Sequence, residues 1–200
     1  MSAGSTGGLM ILVIGGARSG KSTFAQQLAS KLGNRVCFIA TASPCDEEME
    51  KRIDIHQGSR PEGWDTIELE AGSGAPVLPG EVDVAILDCF TVYLHRLMAT
   101  SGLDWKAEYE DLMAEEEVLK RCEKVEAEAI KTIKALKESV PRLVVVSNEV
   151  GMGLVPPFRL GRIFRDAAGR LNQRLAAEAD EVFMVIAGLP VRLKPWRVNG

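Results

Sequence analysis

The sequence predicts an α/β fold in which a mostly parallel β-sheet carries helices on both faces. Short, largely apolar runs recur along the chain, and the segments between them are long enough to form crossover helices. These runs cover residues 9–14, 36–40, 82–87, 143–146 and 182–186. Runs of this length without regular polar alternation are typical of strands buried on both faces. Their alternation with helix-sized segments favours βαβ connections and therefore a parallel sheet.

The first run leads directly into a glycine-rich loop and an amphipathic helix. Residues 9–14 are apolar and are followed by two glycines, as expected for a buried strand that ends in a turn. Apolar side chains then occur at Phe24, Leu28 and Leu32, a spacing that places them on one face of a helix. Gly33 is a common signal for the end of a helix. The order strand, loop, helix is therefore predicted at the start of the fold.

Two later stretches interrupt this pattern, and a third is predicted to be helical and exposed. Residues 70–80 are rich in Gly and Pro and are predicted to be a loop, and residues 99–103, which contain a Ser-Gly pair, are a second weak point in the regular structure. Residues 104–139 contain no Pro or Gly and many Glu, Lys, Ala and Leu residues, which predicts one long helix or two short ones. We interpret the charges of this region as a solvated face, with a subunit contact as the alternative.

The length, net charge and cysteine spacing of the chain limit the classes of protein to which it can belong. The 200 residues suffice for one domain with its own core, to which we assign residues 9–200. Residues 1–8 have no basic region and no long apolar run, so we interpret them as a flexible tail and not as a secretory signal. A net charge of -4 argues against general nucleic-acid binding. With no apolar stretch of roughly 18 residues and no C-x-x-C pair, we expect a cytoplasmic protein with reduced thiols and no membrane span.

The glycine-rich loop fits the phosphate-binding pattern G-x-x-x-x-G-K-[ST]. Its residues are Gly15, Gly16, Ala17, Arg18, Ser19, Gly20, Lys21 and Ser22. In this pattern backbone N–H groups surround a phosphate chain, and the first turn of the next helix adds further N–H groups and the positive end of its dipole. We expect Lys21 to be an exposed charge beside the β- and γ-phosphates and Ser22 to be a Mg²⁺ ligand. The sequence thus predicts a P-loop NTPase-like fold.

A carboxylate at the end of a neighbouring strand is the second requirement of such a site. Asp88 follows the apolar run 82–87, where it can hold the Mg²⁺ shell, and a turn-forming or capping role is the alternative. Arg18 lies inside the loop, and we interpret it as a phosphate ligand rather than part of a surface ion pair. Spacing alone leaves a kinase, an ATPase and a GTPase switch open.

The chain contains two histidines, His56 and His95. His95 lies on a predicted helix among apolar neighbours, which indicates packing or surface exposure. His56 ends a helical stretch, residues 46–56, in which Met49, Ile53 and His56 share one face. By this pattern alone, His56 is a residue at a helix C-terminus that interacts with the helix dipole.

Short motifs beyond the P-loop follow one another in an order and spacing that resemble a known family. In the N-terminal half they are residues 40–42 (ATA), 46–49 (DEEM), 52–53 (RI), His56, 60–61 (RP), Trp64 and 66–68 (TIE). In the C-terminal half they are residues 147–156 (SNEVGMGLVP), 164–166 (FRD), 169–175 (GRLNQRL), 179–182 (ADEV) and 187–190 (AGLP). The chain resembles the bifunctional adenosylcobinamide kinase/adenosylcobinamide-phosphate guanylyltransferase family over nearly its whole length, more weakly over 70–80 and 100–138.

The resemblance implies two reactions in the assembly of coenzyme B12. A nucleoside triphosphate, ATP or GTP, phosphorylates the aminopropanol hydroxyl of adenosylcobinamide. GTP then donates GMP to that phosphate, giving adenosylcobinamide-GDP and pyrophosphate. The family uses a histidine as covalent nucleophile in the second reaction, and by motif position this is His56. The implied site contains Lys21 and His56 as catalytic residues, Ser22 and Asp88 at Mg²⁺, and nucleotide contacts from Ala40, Thr41, Ala42, Arg60, Glu68 and Asp88.

The chain departs from the family at one site position, and two other functions remain open. Asp88-Cys89 stands where many relatives carry Glu-Cys, which changes the reach of the carboxylate. One alternative is a P-loop small-molecule kinase in which His56 never becomes covalent, and labelling of the enzyme by GTP separates the two. The other is a nucleotide-dependent switch, which binds and slowly hydrolyses GTP without responding to a corrinoid. From the family and the helical region 104–139 we expect a homo-oligomer.

Overall fold

The computed structural model describes residues 8–41, 61, 63–103 and 113–194. Within these ranges one sheet contains the strands β1 (Leu9–Gly15), β2 (Val36–Ala40), β3 (Asp65–Glu68), β4 (Val84–Asp88), β5 (Arg142–Asn148), β6 (Glu181–Ile186) and β7 (Leu189–Lys194). The helices of the described residues are α1 (Lys21–Leu32), α2 (Phe90–Thr100), α3 (Glu115–Ser139) and α4 (Arg159–Glu178). The α/β class predicted from the sequence is confirmed.

The sheet is parallel except at one edge. Its strands lie in the order β3-β2-β4-β5-β1-β6-β7. Every neighbouring pair from β3 to β6 is parallel, whereas β7 pairs antiparallel with β6. Three of the six neighbouring pairs are not consecutive in sequence, and each parallel pair requires the chain to return over a face of the sheet. This arrangement agrees with the predicted P-loop NTPase-like fold.

The core lies on both faces of the sheet. Along β1, Met10 and Leu12 contact one apolar cluster, and Ile11 and Val13 contact the other, as the alternation of side chains in a strand requires. The first cluster includes buried side chains of α2, α3 and α4, and the second includes Ala25 and Ala29 of α1. Because β1 is covered on both faces, it is apolar throughout and could be recognised from the sequence.

The two edge strands were not predicted. Three of the four residues of β3 and five of the six residues of β7 are exposed, so neither strand carries a continuous apolar run. β7 also contains Pro190, which an edge strand tolerates because one side of its backbone has no partner strand. The interior strands, which are buried, match the predicted runs to within two residues at both ends.

Residues 115–139 form one continuous helix, α3. Val118, Cys122, Val125 and Ala129 are buried, while many of the intervening charged side chains are exposed, in agreement with a solvated outer face. Residues 104–112 of the predicted helical region lie outside the described residues. The predicted loop at 70–80 contains no helix or strand. Among the described helices, none is both long enough and apolar enough to cross a membrane.

Candidate functional site

The parallel strands bring residues that are distant in sequence to one edge of the sheet. Gly15, the last residue of β1, lies opposite Asn148, the last residue of β5. Ala40 at the end of β2 lies opposite Glu68 of β3 on one side and Asp88 of β4 on the other. Ligand sites of open α/β sheets lie outside the carboxyl ends of the strands. Five predicted or motif residues therefore meet where such a site is expected.

The P-loop has a backbone that only small or strained residues can adopt. Gly20 has φ 93° and Arg18 has φ 56°, both in the left-handed region that favours glycine. A Cβ atom added at Gly15 would lie 2.6 Å from both the Ser19 hydroxyl oxygen and the Val185 carbonyl oxygen. Helix α1 begins at Lys21 without a side-chain cap and without an acidic residue in its first turn. Its first N–H groups therefore remain available to an anion.

The turn between β6 and β7 supports this loop from outside. The Gly188 N–H donates to the Ser19 carbonyl oxygen at 2.8 Å. A Cβ atom added at Gly20 would lie 3.1 Å from the Gly188 Cα atom, so the two glycines are in close contact. The turn residues belong to the motif at 187–190, but their contact with the P-loop was not predicted, because β7 was not recognised in the sequence.

Lys21 is buried in the site, contrary to the expectation of an exposed charge. It is 8% exposed, and its Nζ atom donates to the Gly16 carbonyl oxygen at 2.9 Å. Burial lowers the pKa of Lys21, while the nearby Cys89 and Asp88 act in the opposite direction. The side chain is buried because it folds back over the loop that precedes its own helix, and the loop excludes water from it. Lys21 and Asp88 are thus close enough to interact electrostatically.

The oxygen donors at this edge suit magnesium bound together with a nucleotide. Ser22 and Asp88 are both partly buried and offer a hydroxyl and a carboxylate oxygen. Among the described residues, no group of three or more His, Cys, Asp or Glu side chains could hold a metal ion by itself. Mg²⁺ usually takes one or two protein oxygens and completes its shell with water and substrate phosphates. The residues present therefore fit a phosphate-bound ion rather than a closed protein site.

Thr41, which the family resemblance assigned to nucleotide contacts, has its hydroxyl bonded within the protein. Thr41 Oγ1 accepts a hydrogen bond from the Cys89 N–H at 2.8 Å and donates to the Cys89 carbonyl oxygen at 2.9 Å. Its side chain is fully buried. The preceding Ala40 carbonyl oxygen accepts from the Leu69 N–H at 2.8 Å. Thr41 thus connects the end of β2 to the residue that follows Asp88.

A second group of hydrogen bonds reaches Cys89 from β5. The Asn148 Nδ2 atom donates to Thr91 Oγ1 at 2.6 Å and lies 3.4 Å from Cys89 Sγ. Thr91 Oγ1 is itself 3.4 Å from Cys89 Sγ. Burial raises the pKa of the Cys89 thiol, and the Asp88 charge adds to this effect, so the group is a neutral thiol at pH 7. None of these roles was predicted, although Asn148 lies in the motif at 147–156.

Comparison with known proteins identifies the family. A family model described as cobinamide kinase / cobinamide phosphate guanyltransferase matches residues 11–193. The chain belongs to this family. It is 42% identical over 190 residues to the bifunctional adenosylcobalamin biosynthesis protein CobU of Escherichia coli, with 93% of this chain and all of the relative covered. It is 41% identical to the Salmonella typhimurium protein of the same name, again with 93% of this chain and all of the relative covered. It is 37% identical to the bifunctional adenosylcobalamin biosynthesis protein CobP of Pseudomonas aeruginosa, with 92% of this chain and 96% of that protein covered.

The remaining site residues of this cobinamide kinase/guanylyltransferase divide into two groups. Ala17 and Arg18 of the P-loop and Glu68 at the end of β3 are exposed at the carboxyl edge of the sheet. Ala42, His56 and Arg60 lie outside the described residues. His95, interpreted as a packing or surface residue, is partly buried and contacts the ring of Phe164 edge to face, with 6.4 Å between ring centroids.

Proposed function

We propose that both reactions of the enzyme use the phosphate site at the carboxyl edge of the sheet. As a cobinamide kinase and cobinamide phosphate guanylyltransferase, the chain needs one site that accepts a triphosphate in two chemically different steps. The observation that carries the proposal is the family match across residues 11–193, which includes the P-loop and every strand end described above. In this proposal ATP or GTP serves the first step and GTP the second.

In the kinase step, the P-loop backbone and Lys21 hold the β- and γ-phosphates. The hydroxyl oxygen of adenosylcobinamide forms a bond to the γ-phosphorus and loses its proton to water, the bond to the β,γ-bridging oxygen breaks, and a nucleoside diphosphate leaves. The buried Lys21 ammonium is fixed beside the loop by its hydrogen bond to Gly16, so it is already oriented toward the departing charge. Mg²⁺ held by Ser22 and Asp88 would supply further neutralisation of the phosphate charge.

In the guanylyltransferase step, we propose that His56 is the covalent nucleophile. A neutral imidazole nitrogen forms a bond to the α-phosphorus of GTP, and pyrophosphate leaves. A phosphate oxygen of adenosylcobinamide phosphate then attacks the same phosphorus, the phosphorus–nitrogen bond breaks, and the imidazole is regenerated. Arg18 and Arg60 are proposed to bind phosphate oxygens, because a guanidinium group can bind them through two hydrogen bonds. Glu68, Ala40 and Ala42 are proposed to line the nucleotide.

A homo-oligomer that works in the cytoplasm is part of the same proposal. Leu189, Val191 and Leu193 are 70%, 48% and 46% exposed and alternate along β7, so they share one face of an edge strand. An exposed apolar strip of this kind is typical of an interaction surface. Light scattering coupled to size-exclusion chromatography measures the mass in solution. A mass above that of one chain supports the oligomer, and a monomer at enzyme-assay concentration removes it from the proposal.

The order of the reactions tests the proposed function directly. The enzyme is incubated with adenosylcobinamide, Mg²⁺ and ATP or GTP, and the corrinoid products are separated by chromatography. We expect adenosylcobinamide phosphate to appear first and adenosylcobinamide-GDP to follow with release of pyrophosphate when GTP is present. His56→Asn should accumulate the phosphate without the GDP product. Formation of the GDP product by this variant would remove His56 from the mechanism.

A further inference from the structure

We propose that Thr41 and Asn148 are positioning residues that hold the Asp88 carboxylate in place from the two neighbouring strands. This inference rests on the proposed role of Asp88 at the metal and nucleotide site. The starting observation is topological: β4 lies between β2 and β5, so the end of β4 has one neighbour on each side. Thr41 directly follows β2, and Asn148 is the last residue of β5.

The contact from β2 fixes the backbone next to Asp88. A single hydroxyl, Thr41 Oγ1, binds both the N–H and the carbonyl oxygen of Cys89, at 2.8 and 2.9 Å. These two groups flank the Cys89 Cα atom, so their orientation determines the direction in which the chain leaves Asp88. Thr41 is itself held by Arg96, whose Nη1 atom donates to the carbonyl oxygens of Thr41 and Leu69, each at 2.9 Å.

The contact from β5 fixes the side chains of Cys89 and Thr91, which follow Asp88 in the sequence. Asn148 Nδ2 binds Thr91 Oγ1 at 2.6 Å and lies 3.4 Å from the Cys89 thiol. Asn148 is held in turn by Asn172 of α4, whose Nδ2 atom donates to the Asn148 carbonyl oxygen at 3.1 Å while its Oδ1 atom accepts from Ser147 Oγ at 2.7 Å. The hydrogen bonds therefore continue from the Asp88 neighbourhood into the helical layer.

Burial distinguishes a positioning role from a ligand role. Thr41 is 0% exposed and Thr91 is 3% exposed, and the hydroxyl group of each is bonded inside the protein. Neither hydroxyl is open to a nucleotide, whereas Asp88 is partly exposed at the edge. Because Cys89 directly follows Asp88, a shift of the Cys89 backbone moves the Asp88 carboxylate relative to the P-loop. Thr41 and Asn148 act on the phosphate site through Asp88.

The expected consequence is a loss of magnesium-dependent nucleotide binding. Residues that orient a metal ligand typically change metal affinity or activity by roughly 10–100-fold when they are removed. Thr41→Val keeps the shape of the side chain and removes the hydroxyl, and Asn148→Ala removes the amide from the other side. Thr41→Ser restores a hydroxyl. Asp88→Asn provides the reference for the loss of the carboxylate charge itself.

A matched control separates positioning from general destabilisation. Thr132 is also a buried threonine, 1% exposed, whose hydroxyl lies 3.0 Å from the Tyr93 hydroxyl between α3 and α2. Thr132→Val removes a buried hydroxyl of the same kind away from the carboxyl edge. Asn148→Ala protects the test against failure of Thr41→Val to fold, because Asn148 is only partly buried.

The experiment measures binding of the α,β-methylene analogue of GTP, which cannot transfer GMP to His56, to the full chain by titration calorimetry over a magnesium series and in EDTA. We expect Thr41→Val and Asn148→Ala to need roughly 10–100-fold more Mg²⁺ to reach half of the magnesium-dependent gain in nucleotide affinity. Their nucleotide affinity in EDTA should be close to that of the wild type. Thr41→Ser should recover most of the loss, and Thr132→Val should match wild type.

Three results would overturn the inference, and they are distinguishable. If Asp88→Asn loses the magnesium effect while Thr41→Val and Asn148→Ala retain it, or if Thr132→Val loses it equally, Thr41 and Asn148 do not position Asp88 and the proposed function stands. If Asp88→Asn itself retains the magnesium effect, Asp88 has no metal role, and both that part of the proposed function and the positioning inference are wrong.

Discussion

Replacement of Lys21 by methionine should separate catalysis from stability in this enzyme. The ammonium group is 8% exposed and donates one hydrogen bond, 2.9 Å long, to Gly16. Methionine keeps much of the length and apolar character of the lysine side chain and removes its charge. The substitution loses a hydrogen bond from a charged donor, but it also removes a charge that burial disfavours, as the lowered pKa of Lys21 indicates. We therefore expect little change in the thermal unfolding midpoint.

The effect on rate should be much larger. A preorganised donor or charge that faces developing negative charge contributes roughly 3–4 kcal/mol to transition-state stabilisation, which corresponds to about 10²–10³ in rate. We expect kcat/KM to fall by that factor for both the kinase and the guanylyltransferase reaction, because both use the same phosphate site.

The substitution should also change how the stability of the protein depends on pH. Between the lowered pKa of Lys21 and its ordinary value of 10.5, the unfolded chain binds more protons than the folded chain, so wild-type stability gains from rising pH there.

The assay compares steady-state rates of both reactions with unfolding midpoints measured by circular dichroism at neutral and alkaline pH. Lys194→Met is a suitable control, because Lys194 also donates to backbone carbonyl oxygens, those of Ala176 and Ala177. Lys194 lies opposite Val182 near the start of β6. It is therefore at the amino ends of the parallel strands, whereas the P-loop is at their carboxyl ends. Wild-type rates in Lys21→Met, or loss of only one activity, would contradict a shared phosphate site. A large fall in the unfolding midpoint would contradict the account of Lys21 burial.

Three further substitutions test other parts of the structure. Asp88→Asn should weaken the magnesium dependence of both reactions, and an unchanged magnesium titration of the rates would remove Asp88 from the metal shell. Gly20→Ala should destabilise the protein by about 1–2 kcal/mol and weaken nucleotide binding, because φ at Gly20 is 93° and the new Cβ atom would lie 3.1 Å from the Gly188 Cα atom. Calorimetry measures the loss of stability, and a GTP titration measures the loss of binding. Arg170→Met should destabilise by about 1–3 kcal/mol without altering kinetics, because it removes a partner of the buried Glu126 carboxylate, and denaturant unfolding measures the loss.

The fold could be predicted where burial is complete and not where it is partial. β1 and β4 are covered on both faces, so their sequences are nearly continuous apolar runs, and α1 has a clear helical period. β3 and β7 lie at the edges of the sheet and gain much of their order from backbone pairing with β2 and β6, which leaves little trace in the side chains. The spacing of apolar residues in a sequence indicates which side chains are buried. Edge strands are held mainly by backbone hydrogen bonds, so this spacing does not indicate them.

The candidate site could be predicted in its motif residues but not in its supporting contacts. The glycine spacing of the P-loop reflects a local backbone requirement, visible in Gly15 and Gly20, and so it can be read from the sequence. The pairing of Thr41 with Cys89 and of Gly188 with Ser19 depends on strand order, which no local pattern encodes. The burial of Lys21 was missed because the spacing of the motif does not show that the side chain folds back over the preceding loop. His56, Ala42 and Arg60 lie outside the described residues, and their roles remain predictions.

The proposed covalent role of His56 is tested most directly by the intact mass of the enzyme after incubation with GTP and Mg²⁺ in the absence of a corrinoid. We expect the addition of one GMP group, located on His56 by peptide mapping and absent from His56→Asn. Label from α-phosphate-labelled GTP should stay with the protein in alkali and leave in acid, as expected for a phosphorus–nitrogen bond, and γ-label should not be retained. No added mass, or a GMP group on His95 or on a lysine, would contradict the covalent mechanism and favour a P-loop kinase without histidine chemistry.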